Sequence, residues 1–182
     1  MKEKNILVTL FLSLLFSIGV KAQTTEGNQK KEVGIRMNSL SNFGFMYKKQ
    51  KKENKFNRVR LVSSNFMLSN SPFQRTAFSL GIAIGRENRK VINNKFKLIK
   101  GWEFITSFSS SKINNEVMLD IKPGLGAVLG FIYKINDEFS LNLECIPILK
   151  TDFQSTSGNT TFTGVNFDFD TNNVALGVMY SF

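Results

Sequence analysis

Histidine is absent from this sequence of 182 residues, and cysteine occurs once, at Cys145. Without histidine, the chain cannot assemble a Ser-His-Asp or Cys-His catalytic group or a histidine-ligated metal site. A single cysteine cannot form an internal disulfide or an all-cysteine zinc site. We therefore expect no catalytic residues, no cofactor and no metal.

Long apolar runs are also absent, apart from one near the start of the chain. A mostly apolar, uncharged stretch at residues 6–20 follows Lys2 and Lys4, and Val20 and Ala22 stand at the two positions that a signal peptidase reads. At about 1.5 Å per residue this stretch spans roughly 22 Å, less than the roughly 30 Å hydrocarbon core of a bilayer. The pattern predicts a signal peptide at residues 1–22, a short N-terminal tail at residues 23–31 and one domain at residues 32–182. No later run approaches the length of a membrane-spanning helix.

Strict alternation of side-chain character dominates the rest of the chain. From Phe78 to Gly85, large apolar residues at even positions alternate with serine, glycine and alanine at odd positions. The same alternation runs through residues 117–135 and residues 174–182. Because successive side chains of a strand point to opposite faces, this period of two predicts β-strands rather than helices.

Polar segments divide the chain into eight such strands, joined alternately by short turns and longer connections. The short turns fall at residues 48–54, 86–94 and 136–138, and the longer or more irregular connections at residues 38–42, 69–76, 109–116 and 150–173. The predicted strands cover residues 32–38, 43–48, 55–68, 77–86, 95–108, 117–135, 139–149 and 174–182. An even number of strands connected in this way predicts an all-β fold, an eight-stranded antiparallel up-and-down β-barrel.

The two faces of these strands differ in polarity. Aromatic residues of the apolar face fall at the short-turn or C-terminal ends of their strands, namely Tyr47, Phe96, Tyr133, Phe139, Tyr180 and Phe182. Such a belt is typical of a membrane interface, so we expect a transmembrane barrel with its apolar face toward lipid. The other face then lines the lumen and supplies a candidate ion network: Arg36, Arg58, Arg60, Glu103, Asp120, Lys122 and Glu144. A soluble, lipocalin-like periplasmic barrel is an alternative, although desolvated charges in its interior would need partners.

Two segments carry a resemblance to a known family. Residues 133–139, Tyr-Lys-Ile-Asn-Asp-Glu-Phe, and residues 173–182, Asn-Val-Ala-Leu-Gly-Val-Met-Tyr-Ser-Phe, resemble the outer-membrane β-barrel proteins related to the transmembrane domain of outer-membrane protein A. The Lys/Asn/Phe bias and residues 42–49 are similar to small barrels of Bacteroidota-type bacteria. The resemblance implies an outer-membrane location and recognition of Val178, Tyr180 and Phe182 by the barrel assembly machinery. The best-known relatives continue into a peptidoglycan-binding domain, so no cell-wall tethering is expected of a chain that stops at Phe182.

These observations predict a non-enzymatic outer-membrane β-barrel protein with a structural or binding role through its extracellular loops, chiefly residues 150–173. A passive small-solute pore or carrier is the alternative, although side chains fill the interior of an eight-stranded barrel. The expected partners are outer-membrane lipids and the barrel assembly machinery, with an extracellular ligand unknown and the protein a monomer.

Residues 48–55 form the most basic segment, with five lysines in a predicted periplasmic turn. Contact with anionic lipid head groups or cell wall is one interpretation of this charge, and a solvated turn is the other. Export argues against a nucleic-acid partner.

Overall fold

A computed structural model describes residues 29–39, 42–69, 75–113, 116–156, 159–169 and 173–182. Its strands are β1 (Lys31–Ser39), β2 (Asn42–Lys52), β3 (Lys55–Ser69), β4 (Arg75–Val91), β5 (Phe96–Ile113), β6 (Glu116–Lys134), β7 (Phe139–Cys145), β8 (Ile148–Thr156), β9 (Asn159–Asp168) and β10 (Val174–Ser181). The predicted signal peptide lies outside the described residues, as does most of the predicted tail. Lys31, predicted as the end of the tail, is the first residue of β1.

The strands close into an eight-stranded antiparallel barrel. From β1 to β6, each strand pairs with the next along the chain. β7 and β8 are two parts of one barrel strand, because β7 pairs with the end of β6 and β8 with its beginning. β9 and β10 form the eighth strand in the same way, and β10 closes the barrel against β1. The predicted fold class is therefore confirmed.

The register around the barrel defines its stagger. Starting at Leu125 on β6, each cross-strand partner lies on the next strand around: Phe104, Ile84, Val59, Tyr47, Val33, Tyr180 and Phe139. The carbonyl of Phe139 accepts a hydrogen bond from the amide of Ile135, the residue that directly follows β6, so the row closes ten residues beyond its start at Leu125. A stagger of this kind requires strands tilted by about 35–45° to the barrel axis, as in small membrane barrels.

Asparagine residues shape the three short turns. Asn54, between β2 and β3, adopts a left-handed conformation with φ of 59°, which asparagine tolerates better than most residues. The side-chain oxygen of Asn93 accepts hydrogen bonds from the amides of Lys95 and Phe96, at 2.9 and 2.8 Å. The side-chain oxygen of Asn136 bonds two amides of its own turn in the same way. These side chains replace backbone partners where the ladder ends.

Several strands, β2 to β5 among them, are longer than the sequence predicts, and several predicted connections are wrong. The connection predicted at residues 150–173 is mostly a hairpin, formed by the end of β8 and by β9. The connection predicted at residues 109–116 is mostly strand, since Ser109 pairs with both Ser79 and Asp120. At the short-turn end, β2 continues to Lys52 and β4 to Val91. Polar composition suggested turns, but the neighbouring strands supply ladder partners that outweigh local propensity.

Polarity is reversed relative to a soluble barrel. On β4, Ile84 is 58% exposed on the outer surface, whereas its neighbour Ala83 is 1% exposed in the interior. One side of the interior is apolar, where Ile99, Val128 and Ile132 pack with Ile146. The rest of the interior is occupied largely by charged side chains, which form the candidate site.

Candidate functional site

Nine charged side chains are buried inside the described part of the barrel. We call them the interior ion network: Glu32, Arg36, Lys48, Arg58, Arg60, Glu87, Arg89, Glu103 and Glu144. They comprise five cations and four carboxylates and so carry one excess positive charge. β1, β2, β3, β4, β5 and β7 contribute them, whereas the inward-facing positions are small or apolar at residues 124–132 of β6 and at residues 175–179 of β10.

Arg58 is the centre of the network. Its Nη1 lies 3.0 Å from Glu87 Oε2, its Nη2 lies 2.7 Å from Glu144 Oε2, and its Nε lies 3.3 Å from Glu103 Oε2. These carboxylates lie on β4, β7 and β5, so one guanidinium on β3 links strands from different sides of the barrel. Desolvated charges are stable only when their partners are this close and well oriented.

Lys48 shares two of the same carboxylates. Its Nζ lies 2.9 Å from Glu87 Oε2 and 3.0 Å from Glu144 Oε1. The side chain is fully buried, so its ammonium has exchanged water for these carboxylates. Glu87 and Glu144 are each neutralised by both Lys48 and Arg58.

At the short-turn end, Arg89 completes the network. Its two terminal nitrogens each donate to Glu32 at 2.7 Å, and its Nε donates to Glu87 at 2.8 Å. The guanidinium carbon lies 3.6 Å from the centre of the Phe56 ring, which is within cation–π range. Phe56 therefore points into the lumen, as its phase with Arg58 indicates, and covers the network at this end.

At the opposite end the network is less tightly paired. Arg60 Nε donates to Glu103 at 2.8 Å, and a second nitrogen of Arg60 forms a further hydrogen bond to the same carboxylate. Arg36 Nε lies 3.9 Å from Glu144, while Arg36 Nη1 donates to Asn38 at 2.6 Å. Arg36 is thus the network cation that lies farthest from a carboxylate.

The structure divides the seven residues of the predicted network into two groups. Five of them, Arg36, Arg58, Arg60, Glu103 and Glu144, lie together in the interior ion network. Asp120 and Lys122 lie apart from it, toward the long-hairpin end of β6. Asp120 accepts a hydrogen bond from the hydroxyl of Ser109 at 3.3 Å, and Lys122 lies 3.7 Å from Asp152.

Sequence reasoning missed four network members: Glu32, Lys48, Glu87 and Arg89. Glu87 and Arg89 continue the odd-numbered phase of β4, and Lys48 continues the even-numbered phase of Met46 on β2. The phase of these three residues was visible in the sequence, but they fell in or at the edge of predicted turns, whereas Glu32 lay in the predicted strand at residues 32–38, in phase with Arg36. Continuing the alternating pattern into the charged ends of β2 and β4 places Lys48, Glu87 and Arg89 on the inner face.

The C-terminal residues of the predicted assembly signal all face outward. Val178, Tyr180 and Phe182 are exposed on the outside of β10 and at the residue after it. The backbone of Phe182 exchanges two hydrogen bonds with Lys31, each of 2.9 Å, which seals the seam between the last strand and the first. The Tyr180 and Phe182 rings stack with their centres 6.1 Å apart.

Aromatic contacts continue around this end of the barrel. The ring centres of Phe139 and Tyr180 are 5.2 Å apart, and those of Phe96 and Tyr133 are 5.0 Å apart. Lys134 and Asp137 pair in the short turn between β6 and β7, and the hydrogen bond from this lysine lowers the pKa of Asp137. Tyr47 is likewise exposed on the outer surface of β2.

Ion pairing of the interior side chains limits the chemistry that they can perform. Within the described ranges there is no group of three or more acidic, cysteine or histidine residues placed to hold a metal ion. The described part of the chain also contains no helix of sufficient length and apolarity to cross a membrane. Each network carboxylate already has a cationic partner, so the arrangement braces the barrel wall.

Comparison with solved structures identifies the fold. No protein-family model matches this sequence, and no curated protein matches it closely. A major outer membrane protein of Thermus thermophilus is similar in structure, with a TM-score of 0.50 and 11% sequence identity over 85% of this chain and 100% of that one.

Two further small barrels align over similar lengths. Ail, the attachment invasion locus protein of Yersinia pestis, has a TM-score of 0.43 and 11% identity over 87% of this chain and 100% of its own. Neisserial surface protein A has a TM-score of 0.44 and 12% identity over 85% of this chain and 95% of its own. The chain has the fold of the small outer-membrane β-barrel proteins.

Proposed function

We propose that this chain is a non-enzymatic protein of the bacterial outer membrane, with a structural or binding role. The observation that carries the proposal is the reversal of polarity: in the described part of the barrel, apolar side chains are exposed on the outside and nine charged side chains are buried inside. In a lipid bilayer that arrangement places the apolar surface in hydrocarbon and leaves no open strand edge there. A soluble lipocalin-like barrel requires the opposite arrangement.

We place the short turns on the periplasmic side and the longer hairpins outside the cell, as in other bacterial barrels. The β8–β9 hairpin supports a binding role, because Phe162, Val165 and Phe167 are exposed on it. Exposed aromatic residues on a projecting hairpin provide contact area for a partner. We also group the chain with the barrels related to the transmembrane domain of outer-membrane protein A, because of residues 133–139 and 173–182, and with those of Bacteroidota, because of its Lys/Asn/Phe bias and residues 42–49.

The interior ion network argues against the alternative of a passive pore or carrier. Arg58 and Lys48 join β2 and β3 to carboxylates on β4, β5 and β7, so their side chains cross the space that a solute would need. In planar bilayers we expect no stable single-channel conductance. Regular conductance steps from the pure protein would favour the pore instead.

The decisive experiment is membrane fractionation of cells that make the full chain. We expect the protein in the outer-membrane fraction, processed after Ala22, with different gel mobility before and after boiling in detergent. The mobility change reports a closed barrel that survives detergent, and mass spectrometry of the N-terminus reports processing. Recovery in the soluble periplasmic fraction would overturn the proposal.

A further inference from the structure

A hollow of about 430 Å³ lies on the outer surface of β2–β5, close to the short-turn end. Four exposed cations line it: Lys51, Lys52, Lys55 and Arg86. Asn57 and Asn88 add two amide side chains to the same wall. The five-lysine segment of the sequence is thus divided, since Lys48 enters the interior network while Lys51, Lys52 and Lys55 line this hollow.

No exposed carboxylate lines the hollow. Glu87 is the single acidic residue that contributes to its wall, and the Glu87 side chain points into the barrel. There it pairs with Lys48, Arg58 and Arg89. The hollow therefore brings four cations together with no exposed carboxylate among its lining residues, Glu53 of the adjacent turn lying outside that lining, and such a site attracts an anion.

Trp102 forms the aromatic wall of the hollow. It is the cross-strand partner of Arg86 and is 53% exposed. The apolar outer surface continues directly from here, through Val59, Ile84 and Phe104. Tryptophan prefers the boundary between head groups and hydrocarbon, so the hollow has the layout of a lipid site, with cations toward the turns and apolar surface toward the bilayer centre.

The opposite side of the same barrel end differs. The outer surfaces of β6, β7 and β10 carry aromatic residues there, including Tyr133, Phe139 and Tyr180. Exposed cations also occur elsewhere at this end, among them Lys49, Lys95 and Lys100, but at the hollow four cations and two amides line one wall beside Trp102. General attraction to a charged membrane surface needs only scattered cations, whereas a discrete binding site needs several donors that line one hollow.

We propose that this hollow binds the phosphate group of an anionic phospholipid, with the acyl chains against Val59, Ile84 and Phe104. Ammonium, guanidinium and amide groups all donate hydrogen bonds to phosphate oxygens. The inference rests on the membrane location given under Proposed function. It adds a lipid site at the short-turn end, away from the extracellular hairpins.

Trp102 is the single tryptophan of the sequence and therefore reports on the hollow directly. The test uses the mature chain folded into phosphatidylcholine vesicles that contain a minor fraction of phosphatidylglycerol. Bromine on the acyl chains of one lipid or the other quenches tryptophan fluorescence on contact. We expect brominated phosphatidylglycerol to quench Trp102 more than brominated phosphatidylcholine at equal mole fraction, with a relative binding constant of about fivefold for each strongly contributing cation.

Matched variants separate a site from general surface charge. Arg86→Gln and Lys55→Gln should each reduce the preference for phosphatidylglycerol severalfold. Lys95→Gln, which removes a charge from the β4–β5 turn outside the hollow, should leave the preference unchanged. Equal loss in all three variants, or no preference in the wild type, would overturn the proposal.

Two further measurements identify the source of the phosphate and verify that the barrel has inserted into the membrane. If inorganic phosphate abolishes the preference when chloride at equal ionic strength does not, the hollow binds free phosphate and the lipid assignment is wrong. Quenching by brominated phosphatidylcholine together with heat-modifiable mobility shows that the barrel has inserted. If neither the quenching nor the mobility change is seen, the membrane location itself is wrong. If both are seen without a preference for phosphatidylglycerol, only the lipid site is wrong.

Discussion

Arg58 on β3 and Glu144 on β7 meet across the barrel interior, with Nη2 and Oε2 2.7 Å apart although the two residues are 86 positions apart in the chain. The two strands are not neighbours in the sheet, so the contact spans the lumen rather than following the barrel wall. The pair therefore braces the barrel from within. Substitution of Glu144 therefore tests whether the interior ion network stabilises the barrel.

Glu144→Gln should destabilise the barrel, because the substitution leaves Arg58 and Lys48 with an uncompensated buried charge. The expected loss in free energy of unfolding is about 3 kcal/mol or more. Urea titration of the barrel in lipid vesicles measures this loss. Glu138→Gln, in an exposed short turn, is the control and should be nearly neutral; equal effects would show that the network does not stabilise the fold.

Neighbouring residues on β4 test the orientation of the faces. Ile82→Arg places a guanidinium on the outer surface and should cost about 2–4 kcal/mol near the bilayer midplane. Ala83→Ser changes polarity without much bulk in the interior, beside Arg60, and should be nearly neutral. Refolding yield in vesicles is the measurement, and a greater loss for Ala83→Ser would mean that the assignment of inside and outside is wrong.

Two glycines on the inner face test how closely neighbouring strands approach each other. A Cβ atom at Gly85 would lie 2.2 Å from the backbone oxygen of Trp102 and 2.6 Å from the Cβ of Glu103. A Cβ atom at Gly177 would have its nearest neighbour at 3.5 Å. Gly85→Ala should therefore cost about 1–3 kcal/mol, whereas Gly177→Ala should be tolerated. Thermal unfolding followed by circular dichroism ranks the two, and equal midpoints would contradict the close approach at Gly85.

Phe182→Ser should lower the amount of folded protein in the outer membrane. The substitution keeps the backbone hydrogen bonds to Lys31 but removes the ring that stacks on Tyr180 and ends the predicted assembly signal. Phe182→Tyr keeps an aromatic ring and should retain the wild-type level. Quantification of the unboiled, fast-migrating form measures the outcome, and equal levels in both variants would place the signal elsewhere.

The sequence by itself determined the all-β class, the number of barrel strands and the division of strand residues between two faces. Alternation is a local property, since each residue of a strand points away from its two neighbours. It therefore assigned Arg58, Arg60, Glu103 and Glu144 to one face without knowledge of the partners of any strand. The lack of histidine and the presence of only one cysteine likewise excluded histidine-based catalysis and an internal disulfide.

Only the tertiary structure decided where the strands end and which charges meet. Lys48 and Glu144 are 96 residues apart, and Glu32 and Arg89 are 57 apart, so no local pattern relates them. The hairpin that replaces the loop predicted at residues 150–173 has the same cause, because a polar segment continues as a strand when the adjacent strand offers a hydrogen-bonding edge. Closure and stagger of the barrel fix those edges, and they also gather Lys51, Lys55, Arg86 and Trp102 into one hollow from four different strands.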